Sequence, residues 1–396
     1  MNDYERAISF HWLKMRTRNF IKYWSAILSV SLVFLGYVFY TFNVKTYRGN
    51  QSSLKKEQST YIQIPSLRVP RKGLIIFGQD RSGTTFISAM FANDPQIFMV
   101  YEPLWITQRW FFYENQYYHR CISCELQVVS SIMACNFSRS PASTKFLSYV
   151  STPWTGALPV NIFDTPNFCN KTRDVRNRNC PKLGKNPGFV DRVCNTKYKH
   201  SVVKVAPARL PREKLADLVP RVLLENPDLD VRVLHLVRDP RGNINSRINL
   251  DWVKDYPSPK LPSTAADLCG SILINLYHAD KTLTDLGLKH RYKLVLYKQI
   301  ADDPLGTAKD IYDFAGFKMP LETEQWVLET TKPSAETLKK ELEKPYSTVR
   351  NASGNADKWR EDAFYFRNRI IERHCKTLLD SLGMERVSKP KLANHK

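Results

Sequence analysis

Residues Gly73 to Trp105 read GLIIFGQDRSGTTFISAMFANDPQIFMVYEPLW, and the fold follows from this stretch. Leu74, Ile75, Ile76 and Phe77 form a short continuous apolar run closed by Gly78, the pattern of a strand buried on both faces. Beyond the turn, Phe86, Ile87, Met90 and Phe91 recur at helical spacing, which predicts a helix from near Thr84. A strand, a tight loop and a helix in that order aim several backbone N–H groups and the positive end of a helix dipole at one point. Such a point suits a phosphate or sulfate group.

Against the P-loop form GxxxxGK(S/T), the chain offers Gly78, four residues, Gly83, and then Thr84 and Thr85, so the lysine is missing. Arg81 supplies a cation inside the loop, and Ser82, Thr84 and Thr85 crowd the turn with hydroxyls. Spacing alone also allows an ordinary strand-to-helix turn with a Ser/Thr cap. The segment RSGTTF resembles the 5′-phosphosulfate loop of sulfotransferases, which use 3′-phosphoadenosine 5′-phosphosulfate (PAPS) as donor. YEPLW at Tyr101–Trp105 is similar to the membrane-bound carbohydrate sulfotransferases in particular. The resemblance implies that Asp80, Arg81, Ser82, Gly83, Thr84, Thr85 and Phe86 hold the cofactor's 5′ end.

A second corner lies at Val231–Val237, VRVLHLV, another strand candidate that runs into Arg238-Asp239-Pro240-Arg241-Gly242 and then a helical pattern through Leu250. Arg238 leaves the carboxyl end of this strand, where ligands of open α/β sheets bind, and Ser246 follows two helical turns on. A local Arg238–Asp239 ion pair is the alternative. VLHLVRDPRGNINSR resembles the 3′-phosphate motif of the same sulfotransferases, which implies that Arg238 and Ser246 hold that phosphate. Arg81 and Arg238 stand 157 positions apart, and the joint occurrence of the two motifs in this order is far more specific than either alone. His235, alone in an apolar strand, reads as a hydrogen-bonded core residue.

The chain has 396 residues, 43% of them hydrophobic, enough for a large core, and a formal charge of +21 that favours anionic partners. No zinc-finger or RNA-recognition signature is present, so nucleic acid is not the expected partner. Residues 1–22 carry five Lys/Arg against Asp3 and Glu5, a net +3, and residues 23–44 hold no charge at all. That second run is long enough to cross a hydrocarbon core of about 30 Å. The expected layout is a cytosolic tail at 1–22, a transmembrane signal-anchor helix at 23–44, a stem at 45–70 and a lumenal domain at 71–390.

All eight cysteines and four acceptor sequons, at Asn50, Asn136, Asn170 and Asn351, follow the span. The even cysteine count suits a disulfide framework in an oxidising compartment, which favours a type II orientation. Cys121-Ile-Ser-Cys124 is also a candidate redox or zinc pair, but no second CxxC or paired histidines accompany it. Residues 115–199, rich in Pro, Asn, Gly and Cys, read as long stapled loops.

Later segments are less specific. Tyr292–Tyr297 is a strand candidate, but where related chains continue with an Arg-Tyr-Glu-Asp-like sequence, this one has Leu296-Tyr297-Lys298-Gln299. Lys358-Trp359-Arg360 and Ile371–Cys375 resemble the family's carboxyl-terminal pattern, so the likeness extends from Arg71 to about Gly383. It implies a P-loop-like α/β fold, a mostly parallel sheet flanked by helices, and a Golgi enzyme. Such an enzyme transfers a sulfuryl group to a sugar hydroxyl, at the 6-position of Gal, GalNAc or GlcNAc, on a glycan or glycosaminoglycan. Glu102 is the candidate base, Arg81 the cation at the transferred group, and Lys204 a further transition-state cation. A sulfuryl group carries less charge than a phosphoryl, so fixed arginines and helix N-termini are expected to act without a metal. Tyrosylprotein sulfotransferases share an RSGTT-like loop and form the first alternative; an inactive polysaccharide-binding membrane protein is the second. A homodimer stays open.

Overall fold

The computed structural model describes residues 71–114, 121–150, 160–169, 180–342, 347–349, 355–362 and 365–387. All of them belong to the second of the two units into which the chain divides, Val69–Lys396. The tail, anchor and stem expected at 1–70 lie outside the described residues, as do Asn50, Asn170 and Asn351. Among the described residues no helix is long and apolar enough to cross a membrane.

Among the described residues five strands form one parallel sheet: β1 (Lys72–Gly78), β2 (Ile97–Tyr101), β3 (His200–Val205), β4 (Asp230–Val237) and β5 (Tyr292–Leu296). Their order is β2-β3-β1-β4-β5, with β1 in the centre. The continuous apolar runs of β1 and β4 are those of strands covered on both faces. Alternate residues divide between two layers: Ile75, Phe77, Val203 and Val233 enter one core, Leu74, Ile76, Val202 and Leu234 the other. From β1 the chain departs towards β2 on one side, and from β4 towards β5 on the other. The order therefore reverses between β1 and β4, and a crevice opens at their carboxyl ends. In register, Phe77 faces His235 and Gly78 faces Leu236, while Lys204 lies between Ile76 on β1 and Tyr101 on β2. The residues that follow these strands consequently emerge along one edge.

The helices in chain order are α1 (Thr84–Ala92), α2 (Pro103–Glu114), α3 (Ile122–Ala134), α4 (Pro141–Leu147), α5 (Pro187–Lys197), α6 (Leu215–Glu225), α7 (Pro240–Ile248), α8 (Leu261–Asp285), α9 (Tyr297–Asp302), α10 (Pro304–Ala315) and α11 (Leu321–Thr331). After them come α12 (Ala335–Leu342), α13 (Trp359–Asp362), α14 (Tyr365–His374) and α15 (Lys376–Ser381).

Two expectations need correction. Among the described residues of 115–199 the stretch is not loop throughout, because α3, α4 and α5 pack there and α3 buries Leu126, Val128, Val129, Ile132 and Met133. The strand expected to reach Tyr297 stops at Leu296, and Tyr297 opens α9, whose first turn closes when Gln299 Oε1 accepts from the Leu296 N–H at 2.8 Å. His235 is a core residue as expected: it is 2% exposed and bonds the Tyr292 hydroxyl at 2.7 Å. The eight cysteines form four disulfides, Cys121–Cys124, Cys135–Cys194, Cys169–Cys180 and Cys269–Cys375.

Candidate active site

The loop from Gly78 to Gly83 turns back on itself, with the Ser82 hydroxyl donating to the Gln79 carbonyl at 2.6 Å. Both glycines are required by close approach. A Cβ on Gly78 would sit 2.6 Å from the Leu236 carbonyl oxygen, and Gly83 adopts φ +94 with Tyr297 2.7 Å from its Cβ position. Gly83 caps α1, so the free N–H groups of the helix's first turn open towards the loop's interior. Arg81 takes φ 70, an uncommon backbone conformation for a side-chain-bearing residue.

The second corner closes on the first. The Arg81 Nε donates to the Ser246 hydroxyl at 2.9 Å, and Arg238 Nη1 donates to the Arg81 carbonyl at 3.2 Å. Asn243 Nδ2 donates to the Asp80 carbonyl at 2.9 Å, and Arg247 adds a longer bond at 3.4 Å. Asn243, Ser246 and Arg247, three and one positions apart, thus present one face of α7 to the loop. Arg238 lies 4.5 Å from the centre of the Tyr297 ring. Burial lowers its pKa, while Tyr297 and Asp239 favour its charged form; a guanidinium stays protonated regardless. Its Nε is buried without a hydrogen-bond partner among the described residues. A cleft of about 380 Å³, the size of a small-molecule site, is lined by Arg81, Thr85, Phe86, Arg238, Ser246 and Tyr297 among others. Two arginines, one of them with a buried donor lacking a described acceptor, together with a hydroxyl and helix N–H groups fit a nucleotide that carries an anionic group at each of two positions.

Behind Arg241, Asp239 and Glu372 form a buried ion-pair network, with both Arg241–carboxylate distances 2.7 Å. It ties the corner after β4 to α14, so Arg241 serves the corner's shape. Trp359 packs beside it with Arg241 4.3 Å above its ring.

A second cluster occupies the carboxyl ends of β2 and β3. Lys204 is 1% exposed and bonds Glu102 Oε1, with the Asp80 carboxylate 3.9 Å away and the Tyr101 ring centre 4.8 Å away. Burial works against the ammonium's charge, but Tyr101, Glu102 and Asp80 together outweigh it and hold its pKa above the usual lysine value. Arg209, on the turn after β3, approaches Glu102 Oε2 at 3.4 Å. Glu102 is itself 7% exposed and adopts φ 46. A buried carboxylate in a left-handed conformation between two cations is costly to build, which marks it for function. Thr85 Oγ1 and the Tyr101 hydroxyl, 3.1 Å apart, join this cluster to the loop.

The structure therefore brings Asp80 to Phe86, Glu102, Lys204, Arg238 and Ser246 to one end of the sheet. Tyr297, Asn243, Arg247 and Arg209 belong to the same place but were not singled out in the sequence. For Asn243 and Arg247 a usable signal was present, the helical face they share with Ser246; for Tyr297 and Arg209 there was none. A sulfotransferase domain model matches residues 71–383, a span that includes both corners and the whole described sheet.

The chain belongs to the sulfotransferase domain family.

Similar family members include mouse carbohydrate sulfotransferase 3, 26% identical over 343 residues that make up 79% of this chain and 68% of that one. Mouse carbohydrate sulfotransferase 2 is 27% identical over 367 residues, 81% and 66% of the two chains, and zebrafish carbohydrate sulfotransferase 1 is 24% identical over 349 residues, 80% and 79%. This sulfotransferase thus spans about two thirds or more of the length of each of these relatives.

Proposed function

We propose that this sulfotransferase moves the sulfuryl group of PAPS to a carbohydrate hydroxyl, at the 6-position of Gal, GalNAc or GlcNAc on a glycan or glycosaminoglycan. The observation that carries the reading is the meeting of the loop Gly78–Gly83 with Arg238 and Ser246 in one cleft, closed by the Arg81–Ser246 bond. The names of the similar chains support a sugar acceptor. When bound, PAPS supplies an activated sulfuryl group on a good leaving phosphate. The N–H groups at the start of α1, Ser82, Thr84 and Thr85 hold the 5′ end, with Arg81 at the oxygens whose charge develops. Arg238 and Ser246 hold the 3′-phosphate.

Glu102 takes the proton of the attacking hydroxyl. Lys204, bonded to Glu102 Oε1, fixes that carboxylate and is the further transition-state cation of this reading. Further parts of the reading are a type II Golgi membrane enzyme anchored through residues 23–44, with the stem at 45–70 and a lumenal domain at 71–390. Asn136, exposed just after α3, is its one described glycan acceptor candidate.

Incubation with radiolabelled PAPS and a panel of neutral glycans, glycosaminoglycans and tyrosine peptides tests the acceptor. Label on a sugar 6-hydroxyl is the expected result. Label on tyrosine alone would move the reading to protein sulfation, and polysaccharide binding without any transfer would leave an inactive binding protein.

A further inference from the structure

Cys121 and Cys124 differ from the two long-span cysteine pairs in ring size, exposure and local electrostatics, and they close a shorter ring than Cys169–Cys180, which spans 11 positions. Their bond closes a ring across three positions, whereas Cys135–Cys194 and Cys269–Cys375 span 59 and 106. A ring that short removes little conformational entropy from the unfolded chain, so the bond adds little to stability. The long-span pairs are sealed in the core, with Cys135, Cys194, Cys269 and Cys375 each at 1% exposure or less. Cys121 and Cys124 are both partly exposed, and Ile122 and Ser123 between them are exposed. Cys121 also occupies the N-cap of α3, a helix of 13 residues, and its Sγ accepts from the Cys124 backbone N–H at 3.2 Å. That N–H and the helix dipole favour negative charge on this sulfur.

We propose that Cys121–Cys124 is a thiol–disulfide exchange site, a reducible pair beside the core-sealed Cys135–Cys194 and Cys269–Cys375, with small thiols of the glutathione class as its partner. A thiolate of the partner attacks Cys124 Sγ, the sulfur–sulfur bond breaks, and Cys121 leaves as the thiolate that the Cys124 N–H stabilises. A second partner thiolate attacks the partner sulfur of the mixed disulfide and releases Cys124. The two protons lost by the attacking thiols end on Cys121 and Cys124, so two thiols become one disulfide while the pair gains two electrons. Fold and sheet stay intact, because α3 is held by its buried apolar face and by Cys135–Cys194 at its far end.

The test equilibrates the folded chain in glutathione buffers of graded ratio, quenches in acid, alkylates, and locates the label by fragmentation of the peptide Cys121–Arg139, which also holds Cys135. The expected result is a range of ratios in which Cys121 and Cys124 alone are labelled and the near-ultraviolet circular dichroism is unchanged. A Cys121→Ser variant should in addition trap one glutathione on Cys124. The proposal is overturned if the pair opens only together with the buried disulfides and with loss of the dichroism signal, or if the variant stays free of adduct in oxidised glutathione. Neither readout depends on the cofactor or the acceptor.

Discussion

At the level of single residues, Glu102 and Lys204 form one unit. Each was legible in the sequence as a separate candidate; what the sequence hid was the contact between them, which depends on β2 and β3 lying side by side with Tyr101 opposite Lys204. Replacing Glu102 by Gln keeps the shape and removes the proposed base, so turnover should fall about 10²- to 10⁴-fold with PAP affinity retained in titration calorimetry. Unchanged turnover would take Glu102 out of the base role. Lys204→Met leaves the buried Glu102 carboxylate with Arg209, at 3.4 Å, as its remaining described cation and should cost about 3 kcal/mol in urea unfolding. Adding Glu102→Gln to it should restore part of that loss, and a purely additive double variant would argue against a coupled pair. His235 provides a pH prediction. Burial pushes its pKa down to about 3, below the unfolded value of about 6.5, so the unfolded chain binds the extra proton. Its contribution is complete above about pH 6.5 and is lost as pH falls, by up to about 1.4 kcal/mol per pH unit. Melting temperature should therefore drop from pH 6.5 to 4.5, and less steeply in His235→Gln.

At the level of elements, the loops after β1 and β4 form most of the candidate site, and both were readable from apolar runs that end in glycine or in a charged turn. Gly83→Ala tests the first loop. A methyl there meets Tyr297 and a φ of +94, so PAP affinity should fall at least about tenfold and stability by about 1–3 kcal/mol, measured by calorimetry and thermal melting; a variant with unaltered affinity would mean that the loop does not hold the ligand. The helices between β2 and β3 escaped the sequence for a physical reason. The buried face of α3 includes Ser130 and Ser131, which break the apolar period yet are satisfied inside, Ser130 by Glu225 at 2.6 Å and Ser131 by Ser143 at 2.7 Å. Hydrophobic periodicity does not register a buried hydroxyl whose partner comes from another helix. The early end of β5 is a similar case, since the side chain of Gln299 caps α9 through a bond that no pattern of apolar residues encodes.

For the whole molecule, the order β2-β3-β1-β4-β5 places the two motifs side by side although they are 157 positions apart. Alternating strand and helix patterns made the fold class legible, but the neighbourhood of β1 with both β3 and β4 is a property of the sheet alone. Of the formal charge of +21, +18 lies beyond residue 44, which should draw a polyanionic acceptor at a rate that falls with added salt, while a neutral acceptor shows little change. In the proposed mode of binding, both corners hold one nucleotide carrying a 3′-phosphate and a 5′-phosphate. The most direct test is calorimetric titration of PAP into the folded domain from Arg71 onward and into its Arg238→Ala variant. The domain should bind PAP with micromolar affinity, and the variant should lose at least about 2 kcal/mol of binding free energy. Absence of binding to the domain, or equal binding to both proteins, would contradict this mode of binding.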